Sequence, residues 1–128
     1  MVAIDTNILL YALDNDFPKK MQISIALIDN NKPVICSQNI SEFVNFLTKV
    51  KEYTKSKVCS LLKEVLESCV LVNTEKNVLV HAIKLAERYQ FQLFDAIIVE
   101  AGCDTLYTED MQHGLVVEKK LKIINPFL

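Results

Sequence analysis

Glycine, proline and arginine are all scarce in this chain. Two glycines and three prolines in 128 residues leave little material for long irregular loops, so connections are short and helices long. A single arginine, Arg88, and a net charge of −2 exclude a global pull toward nucleic acid. Any phosphate-binding surface is local and built mainly from lysines. There is no CxxC pair among Cys36, Cys59, Cys69 and Cys103. Zinc-ligand spacing is therefore absent, and the four fit small core residues of a reduced, cytoplasmic protein. No apolar run reaches membrane-spanning length, and Met1 leads straight into a strand rather than a signal peptide. No repeat, linker or low-complexity segment interrupts the chain. Residues 1–128 are expected to form one domain, with a hydrophobic share of 51% ample for a core.

What is present is an alternation of short apolar runs and amphipathic stretches. Met1–Ile4 suits a buried strand ending in Asp5, with a helix following from Ile8 and capped near Thr6 or Asn7. Pro18 sits well at the start of a second helix running to about Ile28, and 29–33 reads as a loop. Val34–Cys36 is a second strand, Ser37 a plausible cap, and the helix to about Lys49 packs Ile40, Phe43, Val44 and Leu47. Lys55 to Ser68 carries a regular stripe of Val58, Leu61, Leu62, Val65 and Leu66. Val70–Val72 is a third strand. The helix from about Glu75 to Tyr89 shows Leu79, Ala82, Ile83 and Ala86 on one face. The connection Gln90–Phe94, at most ~17 Å when extended, forces the next helix to pack at an angle to it. A short apolar helix opened by Asp95 and stopped at Gly102 leads into a strand around Leu106, and Leu121–Ile124 is the last strand. This pattern predicts an α/β fold, a parallel sheet of four to five short strands with helices on both faces.

In such a fold Asp5, Glu42, Asp95 and Asp110 all fall at one edge of the sheet, where open α/β folds place ligands. Each alone is weakly informative, since an Asp near a helix start is usually only a cap. Four together repel unless a proton or cation intervenes. Hard oxygen ligands of this kind select Mg²⁺ or Mn²⁺. Such an ion activates water and neutralises charge on a phosphodiester, and a second, ~3.5–4 Å away, would stabilise the leaving oxygen. Asp104 opens a strand at the opposite edge and reads as structural. Glu109 reads as a surface or secondary carboxylate, and His113 as a loop or substrate-contact residue. His81 shows no partner, and Lys119, Lys120 and Lys122 read as a solvated strand end.

Four segments carry a resemblance: Asp5–Ala12, Ser37–Phe43, Phe94–Val99 and Thr108–Gly114. In this order they resemble the successive motifs of PIN-domain proteins, most nearly the VapC-type toxins of bacterial toxin–antitoxin pairs. The likeness runs nearly the whole chain, down to Ile124-Asn125-Pro126-Phe127. It implies a Rossmann-like sheet and a Mg²⁺/Mn²⁺-dependent endoribonuclease whose metal-binding, catalytic acids match Asp5, Glu42, Asp95 and Asp110. Asn7 and Thr108 would be polar groups steadying those acids. It further implies an RNA substrate, a cognate antitoxin protein and a homodimer. In one respect the chain departs from such relatives. The apolar run between Asp95 and Gly102 is shorter by about one turn, which shifts Asp110 relative to Asp95. An impaired PIN-like module that binds RNA or protein without cutting is therefore the alternative. A purely protein-binding role is a third reading, prompted by the low positive charge. A phosphoacceptor receiver would need an adjacent acid pair early in the chain and a lysine after the last strand, and it has no counterpart for Glu42 on a helix.

Overall fold

In the computed structural model, residues 1–89 and 92–128 are described. Along them lie six helices and six strands: each of the first three strands is followed by two helices, and the last three strands are consecutive. The sheet begins with β1 (Val2–Ile4), β2 (Val34–Ile35) and β3 (Val70–Leu71). It continues with β4 (Thr105–Tyr107), β5 (Val116–Val117) and β6 (Leu121–Ile124), in the spatial order β3-β2-β1-β4-β6-β5. All pairings are parallel except β5 with β6. This is the expected helix-flanked parallel sheet, enlarged by one short antiparallel strand at its edge. Val116 and Val117 are set by their pairing with Lys122 and Leu121, and two residues carry no periodicity for a sequence reading to find.

The alternation of side chains along each strand divides the interior into two layers. Ala3, Val34, Leu106 and Ile123 face α5 (Lys76–Tyr89) and α6 (Leu93–Glu100), with Ala82 and Ala96–Ile98 opposite them. Ile4 and Ile35 face the other way, onto α1 (Thr6–Tyr11), α2 (Pro18–Asn31), α3 (Ser37–Lys49) and α4 (Lys55–Ser68). Ile8, Leu27, Phe43, Leu47 and Val58 complete that layer. The chain leaves β1 toward β2 and β3, then crosses over to β4 and β6 on β1's other side. The neighbouring carboxyl ends of β1 and β4 thus form the point where strand order reverses, and the crevice opens there.

Several boundaries differ from the sequence reading. Asp5 itself caps α1, accepting from the Asn7 backbone N–H at 2.9 Å, in place of Thr6 or Asn7. Helix α2 continues through Asn31, whose side-chain amide donates to the Leu27 carbonyl at 2.8 Å; Lys32, at φ +45°, then ends it. Cys36 rather than Ser37 caps α3, since Asn39 reaches back to the Cys36 N–H at 2.9 Å. Helix α4 matches its predicted bounds, though Leu66 is exposed, as is Ile83 on α5. Cys36, Cys69 and Cys103 are buried as expected; Cys59 is exposed. Helices α5 and α6 pack directly on each other, and His81, read as unpartnered, meets Glu100 at 3.2 Å across them. Of the connection between them, Gln90 and Phe91 lie outside the described residues. No helix among the described residues is long and apolar enough to cross a membrane.

Candidate active site

Each acid reaches the crevice by a local rule. Asp5 follows β1 and caps α1. Asp110 follows β4 after a two-residue step. Asp95 occupies the first turn of α6, where an anionic side chain meets the positive end of the helix dipole. Glu42 lies in the second turn of α3, whose start is held at the end of β2. All four line one cleft of about 280 Å³, together with Asn7, Thr108 and Gln38. Leu106, Phe94 and Met111 supply its apolar wall.

A closed circuit of hydrogen bonds ties Asp5 to Asp110. The Thr108 hydroxyl donates to Asp5 Oδ2 and accepts from the Asp110 backbone N–H at 3.1 Å. Asn7 closes the other side: its backbone N–H serves Asp5, and its amide donates to Asp110 Oδ2 at 3.1 Å. Asn7 and Thr108 therefore stand between the two acids. Thr108 is 2% exposed, so its hydroxyl position is set by the surrounding core. Glu42 stands apart from this circuit, accepting from Gln38 one turn earlier at 2.9 Å.

The electrostatics are those of anions short of a counter-charge. Burial raises the Asp5 pKa, hydrogen bonds from Thr108 and Asn7 oppose that rise, and the charge of Asp110 adds to it. Burial alone raises the Asp95 carboxyl, which is 3% exposed. Among the described residues no three His, Cys, Asp or Glu side chains are drawn together tightly enough to grip an ion unaided. The donor set is nevertheless all oxygen, and two of its acids are held above their ordinary range by burial. That chemistry fits a hard divalent cation, which Asp5, Glu42, Asp95 and Asp110 would hold.

Glu109 is more than a surface carboxylate. It pairs with Lys20 at 2.8 Å and accepts from the Tyr11 hydroxyl. Its partners are remote in sequence, and no short-range signal points to them. Gln38 and Asn39 were also missed, although each had a short-range signal: the first is one helical turn from Glu42, and the second sits where an N3 side chain can cap once Cys36, not Ser37, is the N-cap. Asp104 is exposed at the opposite edge, as expected, and its backbone N–H bonds Met1 O at 3.1 Å. His113 accepts the Asn125 N–H at 3.0 Å, pinning its loop to the carboxyl-terminal segment.

The family model of the PIN domain matches residues 2–109. The chain belongs to the PIN-domain family. The match includes Asp5, Glu42 and Asp95 and ends one residue before Asp110. PIN domains are generally nucleases and usually use divalent metal ions. No curated protein sequence matches the chain.

Proposed function

We propose that this protein is a Mg²⁺- or Mn²⁺-dependent endoribonuclease, the toxin of a type II toxin–antitoxin pair acting in the cytoplasm. The observation that carries this reading is the gathering of Asp5, Glu42, Asp95 and Asp110 in one cleft at the carboxyl edge of the sheet. Those four would hold the ion. When bound, it lowers the pKa of a water and offsets charge building on the phosphodiester. The chain's own groups do the positioning. Thr108 and Asn7 keep Asp5 and Asp110 facing each other, and Asp95 supplies a fixed negative charge at the floor. Leu106, Phe94 and Met111 keep bulk water from one side of the cleft.

Cleavage of a panel of RNAs with Mn²⁺, and with EDTA in its place, tests the reading. The wild-type chain cuts only with metal. Asp95→Asn, which removes a charge with little change of shape, lowers the rate at least a hundredfold, on the scale of losing one group that stabilises transition-state charge, while far-UV circular dichroism stays native. Wild-type activity in that variant would sink the assignment. A second reading, a PIN-like module that binds RNA or protein without cutting, is favoured by two features: α6 is only eight residues long, and among the described residues no three acids are gathered tightly. Tight RNA binding with no cleavage of any substrate would decide for it.

A free ribonuclease of this kind harms its own cell, so the proposal includes an antitoxin covering the cleft. The ligand complementary to four metal-free acids is a cation, best an arginine, whose planar guanidinium bonds carboxylates bidentately. The inhibitor would place an Arg or Lys among the four acids. Its affinity then falls with excess Mn²⁺ and with Asp5→Asn; indifference to both would place the inhibitor elsewhere.

A further inference from the structure

A second cavity, of about 230 Å³, adjoins the acidic cleft, and Asn7 lines both. Its lining is mainly aromatic and aliphatic, with one acid, Asp14, whose Oδ1 is engaged by the Asp16 N–H. Four aromatic side chains, Tyr11, Phe17, Phe46 and Tyr53, line it, and Lys51 stands among them. The backbone is arranged to present these groups. An Asx turn, with the Asp16 N–H on Asp14 Oδ1 at 3.0 Å, sets Phe17 ahead of Pro18, and the residue remains 49% exposed. At the far wall the chain folds back on the end of α3: the Lys51 N–H bonds Phe46 O and the Tyr53 N–H bonds Leu47 O, both at 3.1 Å. That reversal holds Glu52 at φ +55°, a conformation disfavoured for a side chain of that kind.

Besides Lys51, two lysines stand over rings that line the cavity. Lys57 Nζ stands 3.9 Å from the centre of the Tyr53 ring, and Lys20 Nζ lies 4.7 Å from the Tyr11 ring and 5.8 Å from that of Phe17. Lys20 is neutralised by Glu109, whereas among the described residues neither Lys51 nor Lys57 is in an ion pair. In a chain with net charge −2 and one arginine, an open hollow of flat rings with unpaired cations beside it is unusual, and it abuts the acids through one residue. Flat rings take an unstacked base, and cations at the mouth take the phosphates on either side of it.

We infer that this cavity is a nucleobase subsite: it takes one unpaired base of a single-stranded RNA onto the exposed Phe17 side chain, with Tyr53 lining the same hollow and Lys51 and Lys57 beside its phosphates. The inference rests on the ribonuclease reading and deepens it, since a base held here directs the adjoining phosphodiester past Asn7 into the acidic cleft. Stacking accepts any base, so the subsite selects for strand state, single over double, more than for sequence.

The test is binding in EDTA, where nothing is cut, of a short single-stranded RNA containing the fluorescent adenine analogue 2-aminopurine. Wild-type protein quenches the probe as it stacks, and the duplex form of the same RNA binds more weakly. Phe17→Leu and Tyr53→Leu keep apolar bulk but remove the flat face. Each weakens binding about tenfold and relieves the quenching, with circular dichroism unchanged. Phe17 is exposed, so its variant folds even if the Tyr53 variant does not. Wild-type affinity and quenching in Phe17→Leu overturn the subsite, as does an absence of binding by the wild-type chain. So does a self-associated form that disperses in the same variants while RNA affinity stays constant, which would assign the cavity to a second copy of this chain. Cleavage with Mn²⁺ is read separately. Stacking without cleavage upholds the subsite and overturns the ribonuclease; cleavage undiminished in both variants does the reverse.

Discussion

At the scale of single residues, Asp95 is a carboxylate taken out of water, its pKa raised by burial. A carboxyl whose folded pKa is raised contributes stability that is fully present below its unfolded value, near 3.8, and lost as pH rises through the folded value. Asp95→Asn removes that dependence. In EDTA the variant should therefore melt above wild type near neutrality, and the gap should close as pH falls toward 4. Thermal melts across that range check it; a gap constant with pH would mean that the variant acts through packing alone. Thr108 works in the opposite sense. Thr108→Val preserves shape but deprives Asp5 of a donor and the Asp110 N–H of an acceptor. The expected cost is about 1–3 kcal/mol in urea unfolding, with the Asp5 carboxyl moving further up in an NMR titration.

At the scale of elements, α6 decides where Asp95 and β4 sit relative to each other. Its end depends on Gly102 at φ +91°, where an added Cβ would meet only the Met1 side chain at 3.8 Å. Space is available and the backbone conformation is the obstacle. Gly102→Ala should thus destabilise by about 1–2 kcal/mol through strain alone, measured by the shift of the urea midpoint with an unchanged slope; a neutral result would contradict that account of the helix stop. Gly102 was legible in the sequence because one residue type meets a local need. So were the bounds of α4, where Thr54 caps through the Lys57 N–H and an apolar stripe repeats. The cap of α1 was misassigned because Thr6 and Asn7 are as good cappers as Asp5, and the fold alone chooses. The gathering of the four acids followed from chain order and the handedness of crossovers. The pairing of Lys20 with Glu109 did not, because 89 residues separate them, and neither did β5, which exists only through its neighbour.

At the scale of the whole molecule, two apolar layers clamp a short-stranded parallel sheet, and the crevice lies where strand order reverses. The acids there repel while no cation is bound, so the folded chain is the state that gains most from binding one. A ligand held by the folded form alone raises its stability by mass action, about 2.7 kcal/mol at a hundred times the dissociation constant. The most direct measurement is the melting temperature of the wild-type chain titrated with Mn²⁺, beside Asp95→Asn. A saturable rise in wild type that is largely lost in the variant is the predicted result. A wild-type melting curve unmoved by millimolar Mn²⁺, or an equal rise in both proteins, would contradict the claim that these four acids form the metal site.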